Sequence, residues 1–413
     1  MIKLLKKRLH NGDYKILKGD IKKIRGGRTV VWSLDHSWNS LEWCLPGFFY
    51  MKAHYDVNLI FFASELGIWD RCQEEDRIYS LIQDIFDVII INTVNISEYG
   101  YVKRKIWRLK KSLLKEQSLR YFFDEAKIDI LVEMLNPTFV HEYFRHFHPE
   151  TICITHEHSV FQQSLNTFSC GEVSLPDVDY YFCSDRALFN LVDDINKSKV
   201  IVIGAPQLDS WWIEYISKEA IFLLKDQLND SKKTILVLLP AMLDDERLYG
   251  ADKVALCRVL KEYLDDVNIV LKFHPRETHD VRMNFLKTIC SDYMEKSIFI
   301  TTINTECVSR FVDCVIVAGE TSAAAGAIIN DVPVIEFHSN AKLPTFYYEN
   351  GVYGTLFLVK KLVIGAINYD SLKYAIDSVF ISNLWDNYKN KYKEYIHHDN
   401  LASKRFAEFL MSL

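Results

Sequence analysis

No run of about 18 uninterrupted apolar residues occurs in the 413-residue chain, so a membrane-spanning helix is not expected. The opening residues, Met1-Ile2-Lys3-Leu4-Leu5-Lys6-Lys7-Arg8, lack the apolar stretch and small-residue cleavage site of a signal peptide. Nine cysteines are scattered without a C-x-x-C pair, and Cys153, Cys183 and Cys314 lie inside apolar runs, where a thiol behaves as a small hydrophobe. This pattern argues against a disulfide framework and a zinc site, and fits a reduced, cytoplasmic protein. Glycine-rich phosphate loops are also missing: there is no G-x-G-x-x-G and no Walker motif, which sets aside dehydrogenases and kinases. A metal-dependent transferase is not expected either. Nor is there an excess of positive charge: the formal net charge is −6, so nucleic acid is not the expected partner.

The basic residues that are present are unevenly placed. The first 28 residues are strongly basic, and a second block runs Lys103-Arg104-Lys105-Ile106-Trp107-Arg108-Leu109-Lys110-Lys111. With Leu113, Leu114, Leu119, Tyr121 and Phe122 following, the block reads as a helix with a cationic side and an apolar side. Such a segment can lie on an anionic membrane face, or it can be a solvated helix packed by its apolar residues.

Short β-branched and aromatic runs alternate with helix-length segments throughout. Strands are predicted over 29–34, 57–63, 88–94, 128–133, 151–155, 180–184 and 200–203, then over 234–239, 268–273, 298–302, 314–318 and 333–337. Continuous apolar runs of this kind indicate parallel strands covered on both faces. The pattern appears twice, which predicts an α/β protein of two doubly wound, Rossmann-like domains. The expected boundaries are 1–207, 208–385 and a helical tail, 386–413, packing back on the first domain. Two facing domains of this type place their ligand crevice at the carboxyl ends of the strands, so polar residues at strand exits are the candidates.

Four exits stand out. The predicted strand 268–273 runs into His274-Pro275-Arg276, with Lys272 just before its end. Proline stops the ladder there and leaves His274 at the rim. Strand 314–318 opens through Gly319-Glu320-Thr321-Ser322 into the small-residue run 323–327. Hydroxyls and free N–H groups at a helix start hold phosphate without metal, and Lys272, His274 and Arg276 would supply the cations. Either Thr321 or Ser322 also suits an ordinary helix N-cap, and Glu320 would suit a ribose hydroxyl. In the first half, strand 151–155 exits into His156-Glu157-His158, natural groups for taking a proton from an acceptor hydroxyl. Their spacing is not the H-E-x-x-H of a zinc helix, so no metal is expected. Alternation would put His156 and His158 on one side and Glu157 on the other. Strand 234–239 exits into Pro240-Ala241-Met242-Leu243-Asp244-Asp245-Glu246, whose acids can furnish a nucleophile or form a solvated turn. Asp35 and His36, after the first strand, are expected on the acceptor side. His141, His146 and His148 read as part of a surface helix and loop.

At these residues the chain resembles the GT-B glycosyltransferases of bacterial surface-polysaccharide synthesis that use CMP- or CDP-linked donors. These include sialyltransferases, Kdo transferases and CDP-glycerol polymerases. The shared features are Lys272-Phe273-His274-Pro275 and the Thr321-Ser322 pair. The order Glu157, then Asp244 or Asp245, then His274 is most similar to the retaining β-Kdo transferases. The resemblance implies that Lys272, His274, Thr321 and Ser322 hold the CMP phosphate. It implies that Asp244 or Asp245 takes the sugar covalently and that Glu157 serves proton transfer on the acceptor side. It further implies no cofactor, a nucleotide-sugar donor and a lipid-linked glycan acceptor at the inner face of the membrane. Inverting use of CMP-sialate or CDP-glycerol, a non-catalytic glycan- or nucleotide-binding subunit, and a nucleotide-sugar epimerase, which also uses two such domains, are the alternatives. Asp244-Asp245-Glu246 leaves the nucleophile ambiguous, and the sialyltransferase acid motif has no clear counterpart.

Overall fold

The computed structural model describes residues 14–24, 26–34, 38–64, 66–74, 76–92, 119–124, 126–134, 139–157, 175, 177–184, 194–239, 246–274, 277–289, 298–319, 321–337, 347–349, 352–382 and 384–413. They fall into two compact units. One takes those within Met1–Gln163, Val173–Asp209 and Asp399–Leu413, the other those within Ser210–His398.

The first unit is built on an eight-stranded sheet. Its strands are β1 (Tyr14–Lys18), β2 (Arg28–Leu34), β3 (Val57–Ala63), β4 (Val88–Asn92), β5 (Ile130–Met134), β6 (Ile152–His156), β7 (Tyr180–Cys183) and β8 (Val200–Val202). They lie in the order β1-β4-β3-β2-β5-β6-β7-β8. All pairs are parallel except β1 on β4, which is antiparallel. β4 and β5 are wholly buried, as strands covered on both faces must be, and this accounts for their unbroken Val, Ile and Leu runs. β1 was not expected from the sequence. It alternates buried and exposed residues along the sheet edge, so it has no continuous apolar run to reveal it.

The C-terminal helix Ala402–Ser412 belongs to this unit. Phe406 is fully buried, its ring 5.1 Å from that of Phe48 on the helix Trp38–His54. Gly47 makes the approach possible, because a Cβ there would lie 2.4 Å from the Phe406 ring. Asp209 caps the incoming helix from 194 residues away, accepting from Ala402 N–H at 3.1 Å and Ser403 N–H at 2.7 Å.

The second unit carries β9 (Lys233–Leu238), β10 (Val267–Lys272), β11 (Ile298–Ile300), β12 (Cys314–Ala318), β13 (Val334–Phe337), the short hairpin β14 (Tyr347–Glu349) and β15 (Val352–Gly354), and β16 (Ile364–Ala366). Its main sheet is parallel throughout, in the order β11-β10-β9-β12-β13-β16. One face buries Val237, Leu271, Ile316 and Ile335 with Leu260, Phe285 and Leu372 from the helices Glu246–Glu262, His279–Ile289 and Tyr369–Ile381. Both units are thus Rossmann-like α/β domains with parallel sheets, as predicted.

Candidate functional site

In the second sheet the chain winds outward from β9 through β10 to β11 on one side, and from β12 through β13 to β16 on the other. The β9–β12 boundary is therefore the switch point, where strand ends part and leave room for a ligand at their carboxyl side. Gly319 stands there, at the exit of β12, with φ +83° and its N–H donating to Phe337 O at 2.8 Å. The positive φ turns the chain sharply out of the sheet, a geometry suited to glycine. The turn that follows is half-buried. Thr321 Oγ1 accepts from Ala323 N–H at 3.3 Å, Ala324 N–H donates to Thr321 O, and Ala325 N–H donates to Ser322 O. The helix itself begins only at Ala324 and runs to Ile329. Neither Thr321 nor Ser322 is its N-cap residue; Ala323 is, and it has no side-chain bond to offer. The two hydroxyls lie in a preceding tight turn, with Ala324, Ala325, Gly326 and Ala327 buried behind them.

On the other side of β9, β10 ends at Lys272, one residue earlier than predicted. Lys272 stands in register with Leu238 of β9, and its ammonium lies 3.4 Å from Thr302 O. Phe273 turns into the core against Phe285, so alternation sends the preceding Lys272 toward the opposite face. His274 is half-buried, and its carbonyl accepts from Glu277 N–H at 3.0 Å, closing a turn at the rim. Leu239 N–H donates to Lys272 O at 2.9 Å and ties the β9 and β10 exits together. The sheet thus sets Lys272 and His274 on one flank of β9, and Gly319, Thr321 and Ser322 on the other. At roughly 4.8 Å per strand, the two flanks are about 10 Å apart. Asp244, Asp245, Pro275, Arg276 and Glu320 lie outside the described residues.

In the first unit, His156 and Glu157 follow one another at the exit of β6, and both are fully buried. The His156 ring stacks on Trp43 at 4.8 Å and 12°, with Nδ1 2.6 Å from Glu157 O. Glu157 reaches across to β7, where Oε2 accepts from Ser184 N–H at 2.8 Å and from Ser184 Oγ at 2.5 Å. His158, Asp35 and His36, and the basic segments 1–13 and 103–111, lie outside the described residues.

Two groups escaped the sequence reading. Glu133 is an acid inside the otherwise apolar strand β5, only 1% exposed, and its Oε2 lies 3.7 Å from His141 Nδ1. His141 is buried on the helix Phe139–Phe147, which corrects the expectation of a surface histidine. Burial, and next the Arg145 charge, push its pKa below the ordinary value, against smaller opposite pulls from Asp177 and Asp179. The lone acid in ILVEM was the signal that could have marked Glu133, though not its partner. The one-residue spacing of Asp177 and Asp179 was passed over as well. Asp179 is engaged in structure: it accepts from Cys153 N–H at 2.8 Å and pairs with Arg145 at 3.1 Å. Among the described residues no group of three or more His, Cys, Asp or Glu side chains could hold a metal ion. Also among them, no helix is long and apolar enough to cross a membrane.

No protein-family model matches this chain, and no curated protein matches its sequence significantly. Solved structures do match, over nearly the whole length. UDP-GlcNAc 2-epimerase from Neisseria meningitidis, bound to UDP-GlcNAc, superposes with a TM-score of 0.62 at 12% identity, covering 93% of this chain and 100% of that one. The Methanocaldococcus jannaschii enzyme, in complex with UDP-GlcNAc and UDP, gives 0.59 at 14% identity, covering 93% and 100%. The calicheamicin glycosyltransferase CalG4 gives 0.52 at 9% identity, covering 94% and 98%. The fold is the GT-B type that these epimerases and glycosyltransferases share.

Proposed function

We propose that this chain is a nucleotide-sugar enzyme, and that the second unit holds the nucleotide's phosphates at its switch point. The observation that carries the reading is the flanking of β9 by a Lys272–His274 rim and a Gly319–Thr321–Ser322 turn. The first contributes a cation and an imidazole, the second hydroxyls and turn N–H groups, and together they suit an anionic diphosphate without metal. Negative charge developing on a departing nucleotide would be met by His274 and Lys272. Glycosyl transfer is the favoured reaction. Glu157 would serve proton transfer on the acceptor side, and Asp244 or Asp245 would be the nucleophile of a retaining route.

A uridine donor is favoured over the cytidine donor implied by the sequence motifs, because the matched structures carry UDP or UDP-GlcNAc in their names. A CMP-Kdo donor has no such support. A second reading, epimerisation of a nucleotide sugar, is favoured by the higher TM-scores of the epimerases, 0.58 to 0.62 against 0.52 to 0.53 for the transferases. Thermal-shift screening with UDP, UDP-GlcNAc, CMP and CDP tests the site, since a nucleotide that binds only the folded chain raises its melting temperature. Incubation with the stabilising sugar nucleotide and no acceptor separates the reactions. An epimer of the intact donor marks an epimerase, and an unchanged donor fits a transferase awaiting its acceptor. Absence of any stabilising nucleotide would remove the whole proposal.

A further inference from the structure

The first sheet has a switch point of its own, between β2 and β5, and it carries a polar row. Glu133 on β5 pairs in register with Thr155 on β6. Ser33 on β2 stands one step beyond the Trp32–Val132 pair, which sets it beside Glu133 on the other side. In-register residues of parallel strands share a face, so the three side chains line up across adjacent strands about 4.8 Å apart. Val31, Leu131 and Cys153, one turn of the pleat earlier, belong to one apolar cluster with Val140 and Phe144 of the helix Phe139–Phe147. The row therefore lies under that helix, which brings His141 to within 3.7 Å of Glu133.

Ser33 is 2% exposed and Thr155 0%, yet Ser33 Oγ and Thr155 Oγ1 have no hydrogen-bond partner among the described residues. Buried hydroxyls in folded proteins nearly always find a partner, most often bound water where the chain offers none. Two such hydroxyls on either side of a buried carboxylate, at the end of the sheet where α/β folds take ligands, mark a place for another oxygen.

We propose that Ser33, Glu133 and Thr155, with His141 beside the carboxylate, form a hydroxyl-binding site in the first unit. Its ligand is a neutral O–H group, either an ordered water or a hydroxyl of a sugar that takes the water's place. The flanking hydroxyls accept or donate as required, and Glu133 accepts. The site stands on the first sheet alone and survives if the nucleotide reading of the second unit fails.

A crystal structure of the full chain near 1.5 Å resolution tests this, with and without soaked N-acetylglucosamine. The expected result is an oxygen within hydrogen-bonding distance of Glu133 and of at least one of its two flanking hydroxyls, Ser33 Oγ or Thr155 Oγ1. A sugar oxygen there after soaking assigns the site to a glycan, and a water unchanged by soaking assigns it to solvent. No such oxygen in either crystal overturns the proposal. Thr155→Val gives an independent readout, because it keeps the shape and deletes the hydroxyl. A bridged hydroxyl predicts that the melting temperature falls by roughly 1–3 °C. A rise would mean a dry, unpaired hydroxyl and would contradict the site. Ser33→Ala should lower the melting temperature in the same direction.

Discussion

Ser184 holds Glu157 twice: its N–H and its hydroxyl both donate to the same carboxylate oxygen, at 2.8 and 2.5 Å. Both residues are fully buried, so the pair fixes where the β6 exit points its acid. Ser184→Ala removes one hydrogen bond inside a desolvated site and leaves a buried acceptor short of a partner, which should cost about 1–3 kcal/mol. Urea unfolding measures it. A loss under about 0.5 kcal/mol, of the size usual for substitutions away from such features, would mean that the hydroxyl contributes little to holding the carboxylate.

Acid should weaken the fold through His141. Its folded pKa lies below the ordinary 6.5, with burial the largest cause and Arg145 the second. Below about pH 6.5 the unfolded chain takes up this proton while the folded chain still refuses it. Stability is therefore unaffected by this group above that pH and falls as pH drops toward the lowered value. Urea midpoints measured at several pH values from about 7.5 down to 5 should decline in wild type. They should decline less in His141→Gln. Identical slopes in the two proteins would show that His141 titrates normally.

Asp209 is 1% exposed and supplies the cap that the helix Ala402–Ser412 lacks locally. Asp209→Ala leaves two buried N–H groups unpaired and should cost about 2–3 kcal/mol. Limited proteolysis should then cut first near Asp399 to Leu401, ahead of the core. A cleavage pattern like that of wild type would show that the packing of Phe406 and Leu410 suffices without the cap.

Gly319 has φ +83° at the exit of β12. Gly319→Ala should cost about 1–2 kcal/mol in backbone strain and displace the Thr321–Ser322 turn. Stability and nucleotide affinity should therefore fall together. A variant with lowered stability and unchanged affinity would separate the turn from the ligand.

Much of the fold was legible because parallel strands buried on both faces must be continuous apolar runs. Val57–Ala63 and Cys314–Ala318 were read to the residue for that reason. β1, β16 and the hairpin β14–β15 were missed, the first being an alternating edge strand and the others strands of only three residues. The His274 rim was legible from proline's effect on a strand end. The Thr321–Ser322 turn was read as a helix start, and the three-residue offset arose because Gly319 spends its positive φ on a turn before the helix can begin. Glu133 and His141 were not legible as a pair. One sits in a strand and the other on the following helix, and only the packing of that helix over the sheet brings them together.

Isothermal titration of UDP into wild type, His274→Ala and Thr321→Val tests the proposed nucleotide site directly. Wild type should bind saturably, and each variant should bind about tenfold more weakly, roughly 1.4 kcal/mol, with unchanged circular dichroism and melting temperature. Equal affinities in all three proteins, or no nucleotide bound by wild type, would contradict it.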